Sequence, residues 1–225
     1  SYEEFIKCDR HYFERFYFSS LKTPPSVDKY DALWVMGGPM NVWEENKYPW
    51  LIQEKLFIKN WVLNLEKPFF GICLGHQLLG EALGASVVKS QTPEIGFRKI
   101  SISREVHSNN LLSNFSEDML VLQGHSAEIS NFSKKEVSVL ASSDNCSIQA
   151  LSYLNHAFSV QFHPEVVDKT IQNWMSIPKI KQDFYKALGE KGIEGIIDYQ
   201  QKNRRSLING AKIIYENWLN LIEKN

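Results

Sequence analysis

The chain has 225 residues, 43% hydrophobic, 12% aromatic and 23% charged, a composition that can bury a real core and that excludes disordered, collagen-like and fibrous classes. Lys+Arg 25 against Asp+Glu 26 leaves a formal charge of -1, and the basic runs go no further than Lys134-Lys135 and Arg204-Arg205, so nucleic-acid binding driven by charge is not expected. No apolar stretch approaches the roughly 20 residues that span a bilayer, and Ser1 to Arg10 lacks the apolar run of a signal peptide. The chain therefore reads as soluble, free of the membrane and cytoplasmic. Its three cysteines, Cys8, Cys73 and Cys146, are widely spaced without a Cys-x-x-Cys, so they form neither a disulfide framework nor a zinc site. A reducing compartment would leave one thiol free for catalysis.

In chain order, Tyr2 to Asp9 reads as a helix and Tyr12 to Phe18 as a strand. Ala32 to Met36 is a short apolar strand closed by the turn Gly37-Gly38-Pro39. From Pro49, residues Leu51, Ile52, Leu56, Ile58, Trp61, Val62 and Leu65 follow a helical stripe that Pro68 ends. Phe69 to Ile72 is a buried strand, and Leu74, Leu78, Leu79, Ala82 and Leu83 predict a helix starting directly after Cys73 and stopping at Gly84. The Ser- and Asn-rich middle, Ser86 to Leu154, holds strand-like runs at Lys99 to Ser103, Met119 to Leu122 and Val137 to Ser142, where antiparallel or mixed pairing is expected. Ala157 to Phe162 is a further strand, cut by Pro164. Helical pieces follow at Thr170 to Met175 and Pro178 to Leu188. A long amphipathic helix then carries Leu207, Ala211, Ile214, Trp218, Leu219 and Ile222 on one face, which ordinarily means core packing and alternatively a lid or docking role. This alternation predicts an α/β fold: an open, mostly parallel or mixed sheet flanked by helices, with a helical C-terminal extension. No linker or repeat divides it, so one domain over 1–225 is expected, with its core at about 27–167 and the extension at 168–225.

Three motifs carry chemistry. Gly71-Ile72-Cys73-Leu74-Gly75 lies between a strand and a helix and has the form of a nucleophile elbow, whose glycines let the two elements approach. A lone cysteine is more often a buried structural residue; the flanking glycines and the strand–helix junction reverse that weighting, and a helix N-terminus favours the thiolate. His163-Pro164-Glu165 follows the strand Ala157 to Phe162. Residues two apart on extended backbone point the same way, so Glu165 can orient His163 as a base. Taken singly, a surface turn would be the better reading of that tripeptide. With Cys73 it makes a nucleophile, base and orienter set at the carboxyl ends of two strands. Metal ligation by His163 and Glu165 is the alternative, but no other His/Cys cluster has ligand spacing, so no metal is expected. The Gly37-Gly38 turn, an ordinary turn if taken alone, can offer a backbone N–H to an oxyanion beside that of Leu74. Gln123-Gly124-His125-Ser126 is a weaker candidate.

Together, Ala32-Leu33-Trp34-Val35-Met36-Gly37-Gly38-Pro39-Met40, Gly71-Ile72-Cys73-Leu74-Gly75-His76-Gln77 and Phe162-His163-Pro164-Glu165 resemble the class I (triad) glutamine amidotransferases in content and order. Tyr48-Pro49-Trp50-Leu51 and Glu94-Ile95-Gly96-Phe97 resemble the free-standing GMP-synthase-like group, and the likeness covers roughly Val27 to Val167. The resemblance implies a flavodoxin-like sheet, no cofactor, and attack by Cys73 on the side-chain amide of glutamine to give a γ-glutamyl thioester and ammonia. His163 would be base and acid, Glu165 its orienter, and the N–H groups of Gly38 and Leu74 the oxyanion hole. Gly37, Gln77, His125 and Ser126 would contact the substrate. The chain departs from the family at His125-Ser126-Ala127, where relatives have a His-Gly-Asp-like segment, so the acidic member is absent. It also opens at the helix that in relatives follows a first strand, and that strand is expected to precede the given sequence.

No G-x-x-x-x-G-K-[ST] motif is present and Asp168 to Asn225 is too short and helical for a synthase, so any ammonia-consuming synthase would be a separate chain. Two other readings use the same residues. A γ-glutamyl peptidase would take γ-glutamyl peptides or conjugates, and a non-catalytic glutamine-binding regulator would leave the triad silent.

Overall fold

In chain order the elements are α1 (Tyr2–Cys8), β1 (Leu33–Val35), α2 (Trp50–Lys59), β2 (Phe69–Ile72), α3 (Leu74–Ala82), β3 (Ser86–Arg98), β4 (Ser101–Ile102), β5 (Val121–Asn131), β6 (Val137–Ser142), β7 (Ala150–Tyr153), β8 (Ala157–Val160), α4 (Thr170–Met175), α5 (Pro178–Lys202) and α6 (Arg204–Ile222). The structure, a computed structural model, describes residues 2–103, 111–116, 118–132 and 134–223; the rest of the Ser- and Asn-rich middle lies outside them. Six strands form one mixed sheet in the order β1-β2-β8-β7-β6-β4. β1, β2 and β8 run parallel and the remaining pairings are antiparallel. β3 and β5 form a separate antiparallel ribbon.

The apolar run Phe69-Phe70-Gly71-Ile72 shows why the centre of this sheet is parallel and covered on both faces. Successive side chains alternate in direction. Phe69 packs with Leu51 and Ile58 of α2, with Trp61 just beyond it, and with Leu78 and Leu79 of α3. Phe70 and Ile72 pack on the opposite face with Ile214, Tyr215 and Trp218 of α6. Trp34 of β1 meets the Trp218 ring edge-on at 5.0 Å, and Trp218 Nε1 donates to the Phe69 carbonyl at 3.3 Å. The C-terminal helix is therefore core on this face. α2 runs into a π-helical turn over Asn60–Asn64, which carries the predicted stripe as far as Leu65. His76 of α3 is fully buried between Ser159 Oγ at 2.8 Å and the Ile148 carbonyl at 3.1 Å. Burial drives its pKa down to about 3, so it is a neutral structural imidazole. No helix among the described residues is long and apolar enough to cross a membrane.

Several expected elements differ. Tyr12 to Phe18 is not a strand: it carries no regular secondary structure until a 3-10 turn at Phe18–Ser20, and among the described residues no strand pairs with it. Its aromatic and β-prone composition cannot make a strand without a ladder, and Tyr12 is 79% exposed. The run Lys99 to Ser103 shrinks to β4 because β3 occupies the chain through Arg98. The strand expected at Met119 to Leu122 begins at Val121 and continues to Asn131. Ala157 to Phe162 leaves the sheet after Val160. Pro178 to Leu188 is only the first part of α5, which bends at Gly189 (φ 65°, ψ -179°) and continues to Lys202.

Candidate active site

The link from β2 to α3 is one residue long, and that residue is Cys73. It adopts φ 53°, ψ -101°, a conformation costly for a side chain bearing a Cβ. Its N–H donates to the Val160 carbonyl at 2.9 Å, and its carbonyl accepts the Gln77 N–H at 3.1 Å, the first turn of α3. The glycines on either side make this turn feasible. A Cβ at Gly71 would lie 2.6 Å from the Gly75 carbonyl oxygen, and one at Gly75 only 2.1 Å from that of Val35. Cys73 therefore stands at the head of α3, near its unpaired N–H groups and the positive end of its dipole.

Parallel pairing of Ile72 with Val160 brings the ends of β2 and β8 side by side, and the base candidate leaves β8 there. The His163 N–H donates to the Leu122 carbonyl at 2.8 Å, and its Nδ1–H donates to Glu165 Oε1 at 2.7 Å. Trp174 of α4 meets the imidazole edge-on, with centroids 4.5 Å apart. A Cβ on Gly37 would fall 2.9 Å from His163 Cε1 and 3.4 Å from Cys73 Cβ, so only glycine fits this close approach.

Burial opposes a charge on His163, but the Glu165 carboxylate and the Cys73 sulfur outweigh it and raise the imidazole to about 10. The imidazolium therefore stabilises the fold below the unfolded-state value of about 6.5, and this contribution is lost as pH rises towards the folded value. Glu165→Gln should bring the His163 titration down, because burial then meets less opposition. It should also flatten the loss of stability between neutral and alkaline pH. Histidine side-chain NMR titration and denaturant unfolding across that range check both; an unmoved His163 titration would refute Glu165 as its main charge partner.

These residues face a cleft of about 250 Å³. Every residue predicted for the site lines it: Cys73, His163 and Glu165, with Gly37, Gly38, Leu74, Gln77, His125 and Ser126. Gln77 is buried, and its amide donates to the Ala127 carbonyl and Gln161 Oε1, each at 3.1 Å, so it braces the 125–127 segment. His125 Nδ1 donates to the Ala127 carbonyl at 3.1 Å, and Nε2 lies 3.3 Å from Glu94 Oε2.

Behind the cleft lies a buried polar network that local spacing does not disclose. Glu94 accepts from Ser143 Oγ at 2.9 Å and from the Gln149 amide, whose own Oε1 accepts from Gln123 at 2.9 Å. Burial would raise the Glu94 carboxyl, but the approach of His125 and the hydrogen bond from Ser143 outweigh it and hold it below the usual range. Cys146 is buried beside it, and burial pushes its thiol up to about 12. Glu94, His125 and Cys146 present donor atoms within 4.8 Å of one another, a cluster with ligand-like spacing in space that their spacing along the chain conceals. The helices after Val167 also reach the cleft through Trp174, Ile177, Lys179, Ile180 and Asp183. The only signal for these in sequence was the (i, i+4) spacing of Lys179 and Asp183.

The family described as glutamine amidotransferase class-I matches residues 9–176. A subunit of the glutamine-hydrolyzing GMP synthase of Saccharolobus solfataricus is 37% identical over 146 residues, 64% of this chain and 72% of that one. The glutamine amidotransferase-like protein YfeJ of Salmonella typhimurium is 31% identical over 190 residues, 81% of this chain and 77% of that one. Among solved structures, a glutamine amidotransferase of Thermotoga maritima superposes with a TM-score of 0.81 at 25% identity, covering 99% of this chain and 91% of its own. A family match over most of the chain, sequence relatives of the GMP-synthase kind and a shared fold lead to one conclusion: the chain belongs to the class I glutamine amidotransferases.

Proposed function

We propose that the protein hydrolyses the side-chain amide of glutamine through a Cys73 thioester, releasing ammonia and glutamate. The observation that carries this reading is the elbow itself: Cys73 at φ 53° heads α3 in the cleft that holds the hydrogen-bonded His163–Glu165 pair, 2.7 Å apart. The Cys73 thiolate attacks the carboxamide carbon, and the charge that builds on the amide oxygen is received by the N–H groups of Gly38 and Leu74. Protonated His163 delivers its proton to the departing nitrogen, which leaves as ammonia, and the acyl group stays on sulfur. Neutral His163 then takes a proton from water as its oxygen attacks the thioester carbon; collapse frees glutamate and returns the thiolate–imidazolium pair. Glu165 holds the ring in place through both steps. No step needs a metal or a cofactor.

The relatives that are GMP-synthase subunits support a separate synthase chain as the consumer of the ammonia. The deciding experiment is a substrate panel on the purified protein: glutamine, asparagine and γ-glutamyl amines, read as free ammonia and free amine. Ammonia from glutamine in preference to asparagine is expected. Turnover confined to γ-glutamyl amines would replace this reading with the γ-glutamyl peptidase one, and no turnover of any member would favour the non-catalytic regulator.

A further inference from the structure

We infer that Lys179 and Asp183 of α5 form the subsite for the zwitterionic head of the substrate, an inference that rests on the amidohydrolase reading above. The ionisable side chains lining the cleft are Cys73, His125, His163, Glu165, Lys179 and Asp183. His163 and Glu165 are engaged with each other, and His125 lies against buried Glu94. The turn His125-Ser126-Ala127 has no carboxylate. Among the described lining residues, that leaves one cation and one anion uncommitted to chemistry or to the buried network.

Among the described residues these two are paired with each other. Lys179 Nζ lies 3.2 Å from Asp183 Oδ2 across one helical turn, with the side chains 53% and 42% exposed. Such an exposed pair contributes little and opens at low cost. An α-amino acid carries the complementary pair, an ammonium and a carboxylate on one carbon. Placed between the two side chains it exchanges one weak ion pair for two, ammonium to Asp183 and carboxylate to Lys179, with no net change in charge. The location favours this polarity, because Lys179 follows Pro178 in the first turn of α5, where the helix dipole adds to the attraction for a carboxylate. With the head held on α5 and the sulfur of Cys73 lining the same cleft, the cleft selects an amide borne by an amino-acid head. A plain aliphatic amide lacks that anchor.

The test compares wild type with Asp183→Asn, Lys179→Gln and the exchange Lys179→Asp/Asp183→Lys. The three substrates are glutamine, its des-amino analogue glutaramate and its decarboxylated analogue 4-aminobutanamide. Asp183→Asn should cut kcat/KM for glutamine by roughly 10- to 100-fold, chiefly through KM, and shrink the preference for glutamine over glutaramate by the same factor. Lys179→Gln should do the same against 4-aminobutanamide, and the exchange should restore part of the glutamine KM. A merely structural role would lower all three substrates alike; equal losses, or unchanged preferences, overturn the inference. If wild type turns over glutamine and the preferences do not move, only the Lys179–Asp183 subsite falls. If wild type turns over none of the panel, the amidohydrolase reading falls and takes the subsite with it.

Discussion

Cys73→Ala should lower ammonia release from glutamine by roughly 10⁴-fold or more while leaving the fold in place. The size follows from the covalent step: without a sulfur there is no acyl acceptor, and only the cleft's binding groups remain to act on the amide. The fold should survive because alanine meets the same positive φ as cysteine and gives up a single atom, at a cost on the order of 1 kcal/mol. The variant should melt near wild type and should not take up a γ-electrophilic glutamine analogue, which is expected to label wild type at Cys73. The buried Cys146, with its thiol at about 12, should not react in either protein. Turnover in Cys73→Ala within about tenfold of wild type would dismiss the thioester route.

Gly75→Ala should destabilise the protein by on the order of 3 kcal/mol or more, although alanine is ordinarily the better helix former. Gly75 is the second residue of α3, and its Cα lies directly against β1. The added methyl would sit 2.1 Å from the Val35 carbonyl oxygen and 2.8 Å from its carbonyl carbon. Both are backbone atoms of a sheet strand, so the helix has to lift, and Cys73 moves with it away from Gly37 and Gly38. Gly195, exposed on α5 with nothing within 4 Å of where a Cβ would stand, is the control. Gly195→Ala should be neutral or stabilising by about 0.5–1 kcal/mol. Denaturant unfolding of the pair separates close approach from helix propensity; a Gly75→Ala protein as stable as wild type would show that α3 does not need glycine there.

The elements around the triad were legible because each is coded locally. An apolar run, a glycine and a helical stripe identify β2, Cys73 and α3, and β6 and α4 fall at their expected bounds. The β3–β5 ribbon was harder. Its long strand, Ser86–Arg98, carries Pro93, a positive φ at Gly96 and a register break between Lys89 and Glu94, so it shows no clean alternation. Tyr12 to Phe18 failed the other way, since among the described residues a good strand composition has no neighbouring strand to pair with. The network of Glu94, Gln123, Ser143, Cys146 and Gln149 was hidden because its members come from distant segments and meet only once the ribbon lies beside the sheet. Lys179 and Asp183 were not singled out, since nothing in the chain says that this turn of α5 overlooks the cleft.

The parallel pairing of β2 with β8 also bears on how the chain acquires its chemistry. Parallel neighbours cannot be joined by a tight turn, so helix α3, the ribbon and the antiparallel strands must all be traversed before the two strand ends meet. A slip of one residue in the Ile72–Val160 register would turn His163 to the other side of the sheet. During refolding, helical signal should therefore return well before the sulfur and imidazole come face to face, and the onset of turnover would mark completion of a sequence-distant strand pairing rather than of any local element.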